Sequence, residues 1–185
     1  MGGMTGNELN VTLAGLFRGP HNRDAIEAVE RIASERAGIV TLTGLPGRGK
    51  THILHALTNE MRTLGMDAQY ALTVNVLDFL RNAFSPEQPA GEFDERWRLL
   101  TEIDCLCIDE LDQFNGTPWA MERFQTLMDY RWRAIETKIT AFAINTRPGQ
   151  TLHQTLPEKV TSRLMDGRAR IIQVLGEDLR PLLSK

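Results

Sequence analysis

One segment of the chain has the residue types and spacing of a phosphate-binding loop. It reads Gly44-Leu45-Pro46-Gly47-Arg48-Gly49-Lys50-Thr51 and fits the pattern G-x-x-x-x-G-K-[ST]. Glycines let backbone N–H groups turn toward a polyphosphate, and the helix expected after them adds a positive end. Lys50 is expected on the β- and γ-phosphates and the Thr51 hydroxyl on Mg²⁺. The segment, extended by His52, therefore predicts a nucleotide site, with ATP and Mg²⁺ as ligands.

Two adjacent acids follow an apolar run about 60 residues further on, a spacing that suits a P-loop protein. They are Asp109 and Glu110, after Leu106–Ile108. We assign Asp109 to the metal and Glu110 to the general base that polarises the attacking water. An acidic strand end without a catalytic role is the alternative. The glutamate directly after the aspartate favours hydrolysis over transfer to a metabolite.

Two polar residues later in the chain complete the candidate site. Asn145 follows the apolar run 141–144, where an amide can orient the attacking water, although asparagine is also common in turns. Arg163 lies in the run TSRLMDG and could stabilise transition-state charge at a neighbouring subunit. A solvated surface arginine is the alternative, and Arg168 and Arg170 are rival candidates.

Composition places these residues in one ordinary domain. The chain has 185 residues, 42% of them hydrophobic, and a net charge of −3, which excludes a globally basic nucleic-acid coat but not a local basic groove. It has no apolar run of membrane-spanning length and no signal sequence, so we expect a cytoplasmic protein. Cys105 and Cys107, two apart in an apolar run, are interpreted as buried core thiols.

Strands alternate with helices along the chain, which predicts a mostly parallel sheet covered on both sides. A first helix should begin after Asn22 as its N-cap, and Thr73 should cap another helix that ends near Phe84. Residues 1–20 are unpatterned and are interpreted as an N-terminal tail. The predicted strands cover residues 38–43, 68–72, 105–108, 139–144 and 169–174, and the other helices cover 50–64, about 93–103, 119–134 and 157–164.

From about Phe17 to Arg180 the chain resembles the helicase-loader branch of the AAA+ ATPases, the DnaC and DnaI type. The related IstB transposition ATPase is similar as well. The P-loop and the acidic pair are common to all AAA+ proteins, so the features specific to this branch carry the assignment. They are the Gly-Lys-Thr-His continuation at 49–52, the Asp-Tyr-Arg at 129–131 and the Ser-Arg-Leu at 162–164. The whole resemblance includes the segments NRDAIEAV, GLPGRGKTHILHAL, VLDFLRNAF, LCIDELDQF, MDYRWR, AFAINTRP and TSRLMDG.

The resemblance implies an α/β P-loop NTPase fold with an AAA+ core over residues 21–185. A parallel five-stranded sheet would lie between helices, without a complete C-terminal helical lid. An initiator-type helical insertion would span about 73–103 and face single-stranded DNA. The resemblance further implies that Asn145 is sensor 1, that Arg163 is the arginine finger, and that Phe17 and Asn22 lie near the nucleotide base.

The implied function is ATP hydrolysis in DNA replication by a protein that loads the replicative helicase. It would form a homo-oligomer on ATP binding, with single-stranded DNA along basic residues such as Arg81, Arg96 and Arg98. An IstB-like regulator of a transposase is the first alternative. A small-molecule kinase fits less well, because such kinases need a mobile arginine-rich lid. A nucleotide-gated binding module with little hydrolysis is the third.

Overall fold

Five parallel strands form one sheet in the computed structural model, which describes residues 10–113, 117–147, 149–176 and 178. The order across the sheet is β2-β3-β4-β1-β5. β4 therefore lies between β3, which leads into the acidic pair, and β1, which leads into the P-loop. The predicted α/β fold with a five-stranded parallel sheet is confirmed. The strands are β1 (Gly38–Gly44), β2 (Ala68–Leu72), β3 (Cys105–Asp109), β4 (Ile139–Asn145) and β5 (Arg170–Gln173).

Side chains alternate along each strand, so both faces of this sheet carry buried hydrophobic residues. Helices cover both faces. One face packs against α1 and α2, and the other against α3 to α6. Short 3₁₀ turns at Asn82–Phe84, Leu111–Gln113 and Leu152–Gln154 join the elements. The helices are α1 (Arg23–Glu35), α2 (Lys50–Thr63), α3 (Thr73–Arg81), α4 (Glu92–Glu102), α5 (Pro118–Arg133) and α6 (Glu158–Leu164).

Strand β3 illustrates how the alternation of side chains builds two cores. Cys105 and Cys107 face the α1 and α2 layer, whereas Leu106 and Ile108 face the opposite layer. Both cysteines are free and fully buried, with their Sγ atoms 3.9 Å apart. The prediction that they are core thiols is confirmed.

Two predicted helix caps use their side chains differently. Asn22 occupies the N-cap position of α1 as predicted, but its side chain does not cap the helix. Thr73 is the first residue of α3 rather than its cap, so this prediction is wrong. Its buried hydroxyl donates to the carbonyl oxygen of Asp109 at 2.9 Å, because that carbonyl at the end of β3 needs a partner. Thr73 thereby holds the strand end that carries the acidic pair.

The amino-terminal end of the described chain packs on the domain. Leu13 is buried with the α1 and α2 core, and the side-chain amide of Asn59 donates to the carbonyl of Val11 at 2.8 Å. The boundary at residue 20 stays a prediction, but these residues of the proposed tail are ordered against the core. Among the described residues no helix follows β5. No described helix is long and apolar enough to cross a membrane.

A buried arginine holds the end of the sheet opposite to the P-loop. Arg131 on α5 donates from Nη1 to the carbonyl of Ile103 at 2.6 Å and from Nε to the hydroxyl of Thr140 at 2.8 Å. It also donates to the carbonyl of Ile139, where β4 begins. Burial lowers the pKa of Arg131 to about 10, so its guanidinium stays charged at neutral pH. One charged side chain thus fastens α5 to the amino ends of β3 and β4.

Candidate nucleotide site

A cleft of about 710 Å³ opens at the carboxyl ends of the strands. Crevices at this edge are where open parallel sheets bind ligands. The P-loop from Pro46 to His52 lines the cleft. Asp109 at the end of β3, Glu110 directly after it and Asn145 at the end of β4 line it as well. The structure therefore brings together most of the site residues expected from the sequence. Arg163 is not among the lining residues.

The conformation of the P-loop explains its glycines. Gly44 approaches the chain after β5 so closely that a Cβ atom would lie 2.4 Å from the carbonyl oxygen of Val174. Gly49 has a φ of 84°, a left-handed conformation that glycine adopts without strain, and α2 begins at the next residue. The loop thus turns sharply from β1 into the N-terminus of α2, where backbone N–H groups lack helical partners.

Lys50 lies inside this loop. Its side chain is 5% exposed, and its ammonium group donates to the carbonyls of Gly44 at 2.9 Å and Leu45 at 2.8 Å. Burial lowers the pKa of Lys50, whereas the charges of Asp109 and Asp112 act to raise it. The ammonium group is therefore a cation held at the phosphate-binding loop by the loop's own carbonyls.

Thr51 and Asp109 place a hydroxyl and a carboxylate in contact with each other in the cleft that Lys50 also lines. The Thr51 hydroxyl donates to Oδ2 of Asp109 at 2.7 Å, and the backbone N–H of Glu110 donates to Oδ1 at 2.7 Å. A hydroxyl and one carboxylate suit Mg²⁺, which takes few protein ligands and completes its shell with phosphate and water. The described residues contain no cluster of three or more His, Cys, Asp or Glu side chains that could enclose a metal.

Glu110 stands on a strained turn directly after β3. Its φ is 54°, a left-handed conformation that costs a non-glycine residue about 1–3 kcal/mol. Burial raises the pKa of Glu110, and the charges of Asp109 and Asp112 raise it further. A carboxylate with a raised pKa accepts a proton more readily, as a general base requires.

Asn145 is held by an acid that sequence reasoning missed. Its backbone N–H donates to Oδ1 of Asp112 at 2.9 Å, and its side-chain amide lies 3.4 Å from Oδ2. A second missed residue is Tyr70, whose hydroxyl donates to Oδ2 of Asp109 at 2.9 Å. Asp112 is an acid two residues after Glu110, so its position near the site could be expected from the sequence. Nothing in the sequence distinguishes Tyr70 from any other residue of a buried strand.

Phe17 and Asn22 line the same cleft. Phe17 is 80% exposed, so its ring offers an apolar face. The amide of Asn22 donates to the carbonyl of Phe17 at 2.8 Å and accepts from the N–H of Gly19 at 2.8 Å. Both groups of this amide are therefore engaged by the backbone, and Asn22 shapes the loop that carries Phe17 instead of offering its amide to a base.

Arg163 lies on α6 and packs against α5. Its Nε donates to Oδ1 of Asp129 at 2.8 Å, and its guanidinium carbon lies 4.4 Å from the ring centre of Trp132. The side chain is 36% exposed, so it is held in a defined position and still reaches the surface. The rival Arg168 also stacks on Trp132, at 3.9 Å, and pairs with Asp166.

Aromatic rings gather on the α3 and α4 segment with two arginines, and we call this set the aromatic–arginine surface. Neighbouring rings have centres 4.9 to 6.4 Å apart. One guanidinium carbon lies 5.4 Å from a ring centre and the other 5.9 Å. The surface comes from four separate elements, which are α3, the turn after it, α4 and α5. Its members are Phe84, Phe93, Trp97, Trp119, Arg81 and Arg123.

The other two arginines expected along a DNA path have different surroundings. Arg96 is largely buried, pairs with Glu92 at 2.5 Å and donates to the carbonyl of Phe79 at 2.6 Å. It joins α4 to α3 and exposes little of its side chain, and its role as a DNA contact stays a prediction. Arg98 is exposed and borders an apolar hollow beside Leu99.

Comparison with known proteins identifies the family. Residues 8–169 match the bacterial DnaA ATPase domain. The chain belongs to this family. A relative of this DnaA-family chain, the phage-like element PBSX protein XkdC of Bacillus subtilis (strain 168), is 30% identical over 116 residues, which is 60% of this chain. The match spans 41% of the XkdC protein.

Solved structures confirm the AAA+ fold of this DnaA-family chain. The replication initiator DnaA bound to AMPPCP and single-stranded DNA superimposes with a TM-score of 0.76 and 20% identity, over 90% of this chain and 50% of that one. The DnaC helicase loader superimposes with a TM-score of 0.75 and 18% identity, over 92% and 100% of the two chains. The fold expected from the resemblance to AAA+ helicase loaders is therefore confirmed.

Proposed function

We propose that this member of the DnaA ATPase-domain family binds ATP with Mg²⁺ and hydrolyses it. The convergence of a phosphate-binding lysine, a hydroxyl and carboxylate pair, a carboxylate of raised pKa and an amide in one cleft carries the proposal. This set is what hydrolysis at a γ-phosphate requires. A small-molecule kinase fits less well, because such kinases seldom place a glutamate directly after the strand-end aspartate.

Each residue of the cleft has a separate task in the proposed reaction. Lys50 binds the β- and γ-phosphates, while Thr51 and Asp109 hold Mg²⁺, which neutralises charge on the phosphates when bound. Glu110 accepts a proton from the attacking water, and Asn145 orients that water. Asp112 keeps the Asn145 backbone and amide in place. Phe17 offers its exposed ring to the base.

Exchanging Lys50 for alanine should weaken ATP binding by about 10- to 100-fold, because one charge-assisted contact to the phosphates is lost. Titration with a fluorescent ATP analogue measures this. Lys138→Ala is the matched control, since Lys138 pairs with Glu102 away from the cleft. Equal affinity in Lys50→Ala and the wild type would refute the P-loop assignment.

The proposed role is DNA replication, in which ATP-bound copies of the chain assemble on single-stranded DNA and load the replicative helicase. Two likenesses support it: a DnaA structure that contains AMPPCP and single-stranded DNA, and the DnaC helicase loader. Pull-down with the replicative helicase of the same genome tests the partner. Capture of the transposase instead would favour the IstB-like alternative.

The aromatic–arginine surface supports single-stranded DNA as a ligand. Bases stack on exposed aromatic rings, and arginines attract the phosphate backbone. Phe84 is 62% exposed and stacks on Phe93 with ring centres 4.9 Å apart, while Arg81 lies over Trp119. The other three rings are half-buried, so Phe84 is the ring that is free to stack on a base. An exposed aromatic ring next to guanidinium groups matches the chemistry of unpaired bases.

Phe84→Ala should weaken binding of single-stranded DNA by about 5- to 100-fold, since one stacked base contributes about 1–3 kcal/mol. Fluorescence anisotropy with a labelled oligothymidylate, in the presence of ATP, measures the change. Tyr130→Ala removes an exposed aromatic ring elsewhere, beside Glu102, and should have no effect. Equal DNA affinity of Phe84→Ala and the wild type would exclude this surface as the binding site.

A further inference from the structure

The hydroxyl of Tyr70 connects the edge strand β2 to the acidic residue of β3. β2 and β3 pair in parallel, with Leu72 opposite Asp109 and Tyr70 opposite Cys107. The hydroxyl reaches along the strands and donates to Oδ2 of Asp109 at 2.9 Å. Tyr70 is almost fully buried, so this contact is shielded from water and is correspondingly strong.

A second contact fixes the ring that carries this hydroxyl. Tyr70 stacks on His55 of α2, with ring centroids 3.8 Å apart and the planes 28° apart. His55 is buried in the helix that follows the P-loop. Because a stacked, buried ring has little freedom to rotate, the position of its hydroxyl is set by β2 and α2 together.

The donors around Asp109 account for most of its acceptor capacity. An ionised carboxylate has about four lone-pair sites. Oδ2 accepts from the hydroxyls of Thr51 and Tyr70, and Oδ1 accepts from the N–H of Glu110. Among the contacts of the described residues, the acceptor site left over is therefore on Oδ1. Loss of the Tyr70 hydroxyl would open a second site on Oδ2 and release the carboxylate from one of its three restraints.

We propose that Tyr70 is a positioning residue, which orients Asp109 and thereby sets the affinity of the cleft for Mg²⁺ together with a nucleotide. The inference rests on the proposed function of the cleft. Thr51 can donate its single hydrogen to Asp109 and still offer lone pairs to a metal. Tyr70 is not among the residues that line the cleft, so its effect is exerted through the carboxylate. Such partners of a metal ligand typically change metal affinity by about 10- to 100-fold.

Tyr70→Phe removes the hydroxyl and keeps the ring on His55. In the full chain, the Mg²⁺ concentration that half-saturates binding of a fluorescent ATP analogue should rise about 10-fold. Binding of the same analogue in EDTA should stay unchanged, because the phosphates still meet Lys50. The chain has two tyrosines, and Tyr130→Phe is the matched control, since its hydroxyl also donates to a carboxylate but lies outside the cleft.

A second measurement separates positioning from a loss of folding. The rise in Tm that Mg²⁺ produces in the presence of the analogue is taken relative to each variant's own Tm, so a less stable Tyr70→Phe remains informative. This increment should shrink in Tyr70→Phe. In an Asp109→Asn background, the exchange at Tyr70 should cause no further change in the Mg²⁺ dependence.

An unchanged half-saturating Mg²⁺ concentration in Tyr70→Phe overturns the inference while leaving the nucleotide site intact. The inference is also overturned if Tyr70→Phe shifts the half-saturating Mg²⁺ concentration equally with and without Asp109→Asn, because the hydroxyl would then act independently of the carboxylate. Absence of any Mg²⁺-dependent nucleotide binding by the wild type would overturn the proposed function as well, and it is seen before any variant is made.

Discussion

Arg163→Ala should leave ATP binding unchanged and reduce hydrolysis by about 1,000-fold or more, the usual effect of removing an arginine finger. Lys50 is the cation held at the P-loop, and Arg163 is not among the residues that line the same cleft. A finger on α6 therefore has to act on the nucleotide of a neighbouring copy. Nucleotide titration and phosphate release, measured side by side, test both parts of this expectation.

Mixing two inactive variants distinguishes a shared site from a damaged one. Arg163→Ala keeps an intact P-loop, and Lys50→Ala keeps an intact finger. At protein concentrations that permit assembly, the mixture should recover part of the hydrolysis, and the specific activity of the wild type should rise with concentration.

Arg168→Ala is the matched control for the finger, because Arg168 stacks on the same ring of Trp132. It should retain most of the activity. A mixture that stays inactive although the two proteins associate, together with wild-type hydrolysis that is independent of concentration, would reduce Arg163 to a surface arginine. Loss of hydrolysis in Arg168→Ala alone would transfer the finger to that residue.

Glu110→Gln should bind ATP and hydrolyse it about 10²- to 10⁴-fold more slowly, since the amide keeps the size of the side chain and cannot accept a proton. Single-turnover hydrolysis with the nucleotide in complex measures the chemical step. Glu35→Gln on α1 serves as the control, because Glu35 pairs with Arg31 on the surface.

The pH dependence provides an independent check of Glu110. Burial and neighbouring acids raise its pKa, and only the ionised carboxylate can act as a base. Wild-type hydrolysis should therefore rise as the pH increases through that raised pKa and level off above it. The residual activity of Glu110→Gln should lack this rise. Hydrolysis at the wild-type rate in Glu110→Gln would assign the base to another group.

The parts of the site that could be predicted from the sequence are local in the chain. The P-loop and the pair Asp109 and Glu110 each occupy consecutive positions, so their chemistry can be inferred from spacing alone. Asp112 and Tyr70 could not be assigned in this way, because each acts on a residue from another strand. Their roles depend on the parallel order of the sheet and on distances of about 3 Å that spacing does not determine.

The same limit applies to the arginines of the α3 and α4 segment. Charge alone suggested that Arg96 faces DNA, whereas the fold uses it to close α4 onto Phe79. The aromatic–arginine surface went unnoticed because its members belong to α3, the turn after it, α4 and α5. Only packing brings Trp119 within reach of Phe84.

Arg131 couples α5 to the sheet, so the helix and the strands are expected to move together. This one side chain holds α5 on the sheet, and Asp129 and Trp132, two residues and one residue away on the same helix, contact Arg163. The carboxyl ends of the same strands carry Asp109 and Asn145. A rotation of the sheet would therefore move Arg163 with it. If copies of the chain assemble as proposed, such a rotation would change the tilt of one copy relative to the next, with little deformation inside either.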